Sequence, residues 1–113
     1  MKEDAVYIRH ILECIDRIEQ YTNEGHAAFL ASTLIQDGVI RNLQTLGQSA
    51  LKISDALKSS HPEVDWKSIV GLRNVLVHDY LGVNVVRIWE IVERDLPDLK
   101  AKAAAIQGSP SSS

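Results

Sequence analysis

From Asp4 to about Glu24 the apolar residues fall at Ile8, Ile11, Leu12, Ile15, Ile18 and Tyr21, the three-and-four spacing that gathers them on one stripe of an α-helix. The opposite stripe is charged, with Arg9, Glu13, Asp16, Arg17 and Glu19. After Gly25 a second helical pattern runs from about His26 to Lys58. Within it Val39, Leu43, Leu46, Ala50, Ile53 and Leu57 alternate steps of four and three, a heptad-like seam that predicts packing along a long neighbouring helix. Asp37-Gly38 predicts a bend or a break in this element. Ser59, Ser60, His61 and Pro62 end it.

Asp65 is the predicted N-cap of a third helix that begins at Trp66. Trp66, Ile69, Val70, Leu72, Val75, Leu76 and Val77 give it so many apolar positions that burial on more than one side is expected. Residues 81–84 read as a turn. A fourth helix carries Val85, Ile88, Trp89, Val92 and Leu96, and Pro97 is expected to kink it or to start a short fifth piece ending near Gln107. No segment alternates apolar and polar residues long enough to demand a sheet, and no repeat of 20–50 residues is visible. The predicted fold class is therefore all-α, an antiparallel four-helix bundle with a short fifth C-terminal piece. Residues 1–107 form the helical domain and 108–113 a solvated, disordered tail.

With 113 residues there is room for one core, so one functional site is sought. The apolar runs are too short to span a bilayer, and the acidic start MKEDAVYIRH lacks the apolar region of a secretory signal. Together with the single Cys14, which cannot form an internal disulfide, this predicts a cytoplasmic protein. Cys14 follows His10 by four residues, a spacing that can place two metal ligands on one helix face. No third ligand stands nearby, so both read as ordinary helix residues and no metal or cofactor is expected.

The net charge of −3 argues against indiscriminate binding of nucleic acid, but the charge is unevenly spread. Residues 1–37 hold three basic and seven acidic side chains, residues 38–78 five and three, and residues 79–113 four and five. The one net-positive stretch ends at His78. Phosphate loops, dinucleotide glycine fingerprints, zinc-spaced clusters and nucleophile elbows are all absent. Attention thus falls on the polar residues inserted in an apolar segment, Arg73-Asn74-Val75-Leu76-Val77-His78-Asp79-Tyr80. At about 100° per residue, Asn74 and His78 lie roughly 40° apart on one face, while Arg73 lies roughly 140° from His78 and must reach round. An isolated Arg, His or Tyr in a helix more often serves a surface ion pair, a helix end or the core.

The segment resembles the R-x4-H-x-Y signature of HepT-like members of the HEPN superfamily. Trp66, Ile69 and Gly71 ahead of the Arg-Asn pair, the turn containing Gly47, and Trp89 with Asp95-Leu96-Pro97 downstream extend the resemblance over nearly the whole chain. One departure stands out: where such proteins commonly read Gly-Glu-Ala, this sequence has Gly47-Gln48-Ser49-Ala50, a neutral amide in place of a carboxylate.

The resemblance implies a metal-independent endoribonuclease toxin. In that chemistry a ribose 2′-hydroxyl attacks the adjacent phosphorus, leaving a 2′,3′-cyclic phosphate and a 5′-hydroxyl. His78 suits the acid/base role because an imidazole exchanges protons near neutrality. Arg73 suits the phosphate, with a planar fork of donors and a fixed charge. Asn74 supports them, orienting His78 or touching the phosphate. The resemblance further implies a homodimer that pairs two motifs over the RNA substrate, and a nucleotidyltransferase antitoxin of the MntA type. That partner would transfer AMP to Tyr80 and so oppose RNA entry by charge and bulk. The alternative is a non-catalytic dimeric module that docks a nucleotidyltransferase or binds a nucleotide.

Overall fold

The computed structural model describes residues 2–79 and 82–108. Helix α1 spans Lys2–Tyr21, α2 His26–Ala31, α3 Thr33–Lys52, α4 Asp55–Ser60, α5 Trp66–His78, α6 Val85–Glu90 and α7 Leu96–Gln107, with a π-helical turn over Ile91–Asp95. No strand occurs among the described residues, so the all-α class read from the periodicity holds.

The apolar stripe of α1 is buried as its spacing requires, with Ile8, Ile11, Cys14, Ile15 and Ile18 almost wholly inside. It meets the seam of α3, where Val39, Leu43, Leu46 and Ala50 are equally buried. Their relative direction follows from contacts at the two ends. The ring of Tyr21, at the end of α1, lies against Gly38 near the start of α3. At the other end the Asp4 carboxylate accepts from the Ser54 backbone N–H at 2.9 Å and from its hydroxyl at 2.6 Å. The two long helices are therefore antiparallel. Helix α5 packs on α3 and α7 packs on α1. Cys14 is a packing residue in this core, and burial pushes its thiol above the ordinary value.

The second element is divided where the sequence reading did not divide it. Asp37-Gly38 stays helical inside α3, because Gly38 serves contact rather than bending: a Cβ there would lie 3.1 Å from the Tyr21 ring. The breaks fall at serines instead. Ser32 Oγ accepts from Ile35 N at 3.1 Å and starts α3, and Ser54 Oγ accepts from Leu57 N at 3.2 Å and starts α4. A hydroxyl that takes up an orphan N–H of the next helix makes a new start favourable.

Pro97 lies in the first turn of α7, so the expected fifth piece is present as a helix of its own, joined to α6 through the π-helical turn. A proline lacks the N–H that would pair four residues back, and its ring crowds that carbonyl. The chain relieves this through the π-helical turn Ile91–Asp95, so α6 runs into α7 with right-handed helical backbone throughout. Helix α7 ends at Gln107, as expected. The rest of the predicted tail, residues 109–113, lies outside the described residues.

Candidate active site

Helix α5 carries the motif and is anchored at its start. Asp65 caps it, accepting from Ser68 N at 3.1 Å and from Ser68 Oγ at 2.7 Å, and these bonds hold its carboxyl below the usual aspartate value. The Trp66 indole donates to the His61 carbonyl at 3.0 Å, tying the same end to the close of α4. Both the cap and the first residue agree with the sequence reading.

Burial along α5 is less than its composition suggested. Trp66 and Leu76 are buried, and Ile69, Val70 and Leu72 partly so, yet Val75 is 54% and Val77 43% exposed. The reason is topological: α3 covers α5 along one side only. Between α5 and the α6–α7 element an apolar groove of about 700 Å³ remains, with Leu72, Val75, Val83 and Ile88 on its walls and Arg87 and Lys102 among its polar residues. In a single copy of the chain, the expected burial on more than one side is not reached.

The motif residues lie at the solvent-facing end of this helix. Arg73 is half-buried, whereas Asn74 and His78 are exposed. Arg73 Nη1 donates to Asn74 Oδ1 at 2.8 Å, so the amide fixes the guanidinium rather than the imidazole. Among the described residues no hydrogen bond joins His78 to Arg73 or Asn74, and no carboxylate pairs with Arg73. The guanidinium thus keeps donors and charge for an anion from outside. Asp79 closes the helix, its N–H donating to Val75 O at 2.8 Å, and its carboxylate crowds Gly82. Tyr80, the predicted modification site, lies outside the described residues.

Two residues of α3 that spacing alone did not single out for this role support the motif. A Cβ on Gly47 would collide with Arg73 Cβ and lie 3.0 Å from its Cγ, so the absence of a side chain seats the Arg73 stem. Gln44 Nε2 donates to Leu76 O at 3.0 Å across the helix pair. A glycine in the middle of a long helix is itself a signal, since it weakens the helix by about 1 kcal/mol relative to alanine without a compensating contact. Gln44 gives no such signal. Gln48, where relatives in the resemblance carry glutamate, is half-buried and makes no hydrogen bond through its side chain among the described residues.

With this arrangement in view, the sequence profile of the ribonuclease HepT-like family matches residues 11–106. The chain belongs to the HepT-like family. It is 37% identical over 97 residues to a Thermococcus cleftensis protein assigned as a ribonuclease HepT, covering 85% of this chain and 88% of that one. It is 28% identical to the mRNA nuclease HepT of Shewanella oneidensis, covering 82% and 87%. A Methanocaldococcus jannaschii protein whose name joins a gamma-glutamylcyclotransferase to an RNase is 32% identical over 106 residues. The match takes in 93% of this chain but 48% of that protein, so it leaves about half of the relative unmatched. No solved structure matches. No helix among the described residues is long and apolar enough to cross a membrane.

Proposed function

We propose that this protein is an endoribonuclease toxin that cleaves RNA without a metal, with Arg73 binding the scissile phosphate, His78 transferring protons and Asn74 holding the guanidinium. The observation that carries the reading is the pairing of half-buried Arg73 with exposed Asn74, bonded at 2.8 Å on the same helix as an exposed His78, in a chain of the HepT-like family. A relative named as an mRNA nuclease supports RNA as the substrate class. The guanidinium stabilises charge building on the phosphoryl oxygens, while the imidazole takes the 2′-hydroxyl proton and returns one to the leaving 5′-oxygen. The active form is a homodimer in which two α5 helices face each other, and Val77, exposed on the motif's side of the helix, favours such a pairing. Regulation is by a nucleotidyltransferase antitoxin that attaches AMP to Tyr80.

The test is cleavage of single-stranded RNA by purified protein in excess chelator. Products ending in 2′,3′-cyclic phosphate are expected, and His78→Ala is expected to lower turnover by about 10²–10⁴-fold, the range for loss of a general acid/base. Undiminished cleavage by His78→Ala, or cleavage that requires added divalent metal, would reject the mechanism. An intact chain that binds a nucleotidyltransferase but never cuts RNA would favour the non-catalytic module instead.

A further inference from the structure

We propose that Gln44 and Gly47, on one face of α3, are positioning residues that set where Arg73 and the His78-bearing end of α5 stand relative to each other. The inference rests on the reading of Arg73 and His78 as the reacting pair, and adds to it two residues that touch no substrate.

The geometry is that of two contacts in one antiparallel helix pair. At Gly47 the α3 backbone comes so close to α5 that any Cβ would meet Arg73 Cβ, with Arg73 Cγ 3.0 Å and Ile69 O 3.3 Å away. These neighbours are the root of a side chain and a backbone carbonyl, neither of which can swing aside as a flexible tip can. The stem of Arg73 therefore has a fixed origin, and its tip is fixed by Asn74 Oδ1 at 2.8 Å. One turn earlier on α3 the half-buried Gln44 reaches across to Leu76 O at 3.0 Å. That carbonyl belongs to the last turn of α5, where helical carbonyls run out of intrahelical donors, and it lies two residues before His78. A donor delivered there from a rigid neighbour fixes the direction in which the helix end leaves the bundle. Since Arg73 and His78 point about 140° apart on an ideal helix, a small rotation or fraying of this last turn changes their separation directly. A misplacement of about 1 Å in such a pair can lower turnover by about 10²-fold.

Donation and volume are separated by two substitutions at Gln44. Gln44→Met keeps the length and loses the donor, while Gln44→Lys keeps a donor that can reach a helix C-terminal carbonyl. Both would be assayed for RNA cleavage below the melting temperature, with kcat and KM resolved and the folded fraction checked by circular dichroism. Alongside, the His78 ring and Asn74 side-chain amide resonances would be followed by NMR. Gln44→Met is expected to lower kcat by about 10-fold or more and to move the His78 ring signals, and Gln44→Lys to restore kcat to within about threefold of the parent. Gly47→Ala is expected to move the Asn74 amide signals and to lower kcat by about 10²-fold. Wild-type kcat in Gln44→Met, or equal losses in Gln44→Met and Gln44→Lys, would overturn the assignment of Gln44. Unmoved Asn74 signals with full activity in Gly47→Ala would overturn that of Gly47. Arg73→Ala and His78→Ala serve as the reference: if these remain active the catalytic reading fails, whereas if they are inactive and the α3 variants are normal only the positioning role fails.

Discussion

At the scale of the residue, the decisive feature is that Asn74 gives its carbonyl oxygen to Arg73 and not to His78. A guanidinium bonded at one corner loses rotational freedom but retains most of its donors, which suits a planar, two-point grip on a phosphate. Lysine at position 73 would keep the charge and lose the fork. Arg73→Lys is therefore expected to reduce kcat/KM by about 10-fold or more while leaving folding unchanged, a direction that steady-state cleavage assays would check. Wild-type kcat/KM in this variant would mean that charge alone suffices. The candidate residues were legible because polar side chains stand out in an apolar helix. Their mutual bonding was not, since helical angles place Asn74 on the His78 side and say nothing of how far a long arginine bends back.

At the scale of the element, the periodicity of three and four located the helices and their buried stripes, but not the divisions between them. Ser32 and Ser54 look like ordinary polar positions in a helix, and only the packed structure gives each a helix start to cap. Gly38 looks like a breaker and is a contact for Tyr21. The Ser54 start is reinforced by the buried Asp4 carboxylate, which accepts from both its N–H and its hydroxyl. Asp4→Ala would leave those donors without the carboxylate in a closed site, and thermal or urea unfolding should show a loss of about 2–3 kcal/mol. A loss under about 0.5 kcal/mol would show that water replaces the carboxylate freely. Helix α5 has its own acid-sensitive point at Asp65, whose bonds from the Ser68 hydroxyl and N–H hold its carboxyl below the usual value. Because the folded value is the lower one, the ionised cap favours the helix above about pH 4, and that contribution is lost as pH falls through the folded value. The Ser68 amide should accordingly lose hydrogen-exchange protection on acidification. Asp65→Asn, a neutral cap, should keep the helix and abolish this pH dependence; an unchanged pH profile in that variant would remove Asp65 as its source.

At the scale of the whole molecule, the proposed chemistry would require an acidic chain to bring a nucleic acid to a site on one helix, a task for which a single copy is poorly equipped. The net charge is −3, but residues 38–78 carry five basic and three acidic side chains, so two copies joined along α5 would bring two Arg73 guanidinium groups to one place. The same pairing would cover Val77, which stands exposed on the face between Arg73 and His78, and would supply part of the second side of burial that the composition of α5 calls for. Sedimentation at micromolar concentration is expected to give a dimer. Val77→Lys should convert it to a monomer and abolish cleavage, even though the added charge favours RNA, which separates loss of assembly from loss of attraction. If each site takes Arg73 from one subunit and His78 from the other, mixing inactive Arg73→Ala and His78→Ala proteins under subunit exchange should restore activity, because half of the sites in the mixed dimer are intact. A dimer whose mixed form stays inactive would place both groups of each site in one subunit, and a wild-type monomer that cleaves RNA at full rate would remove the dimer from the mechanism altogether.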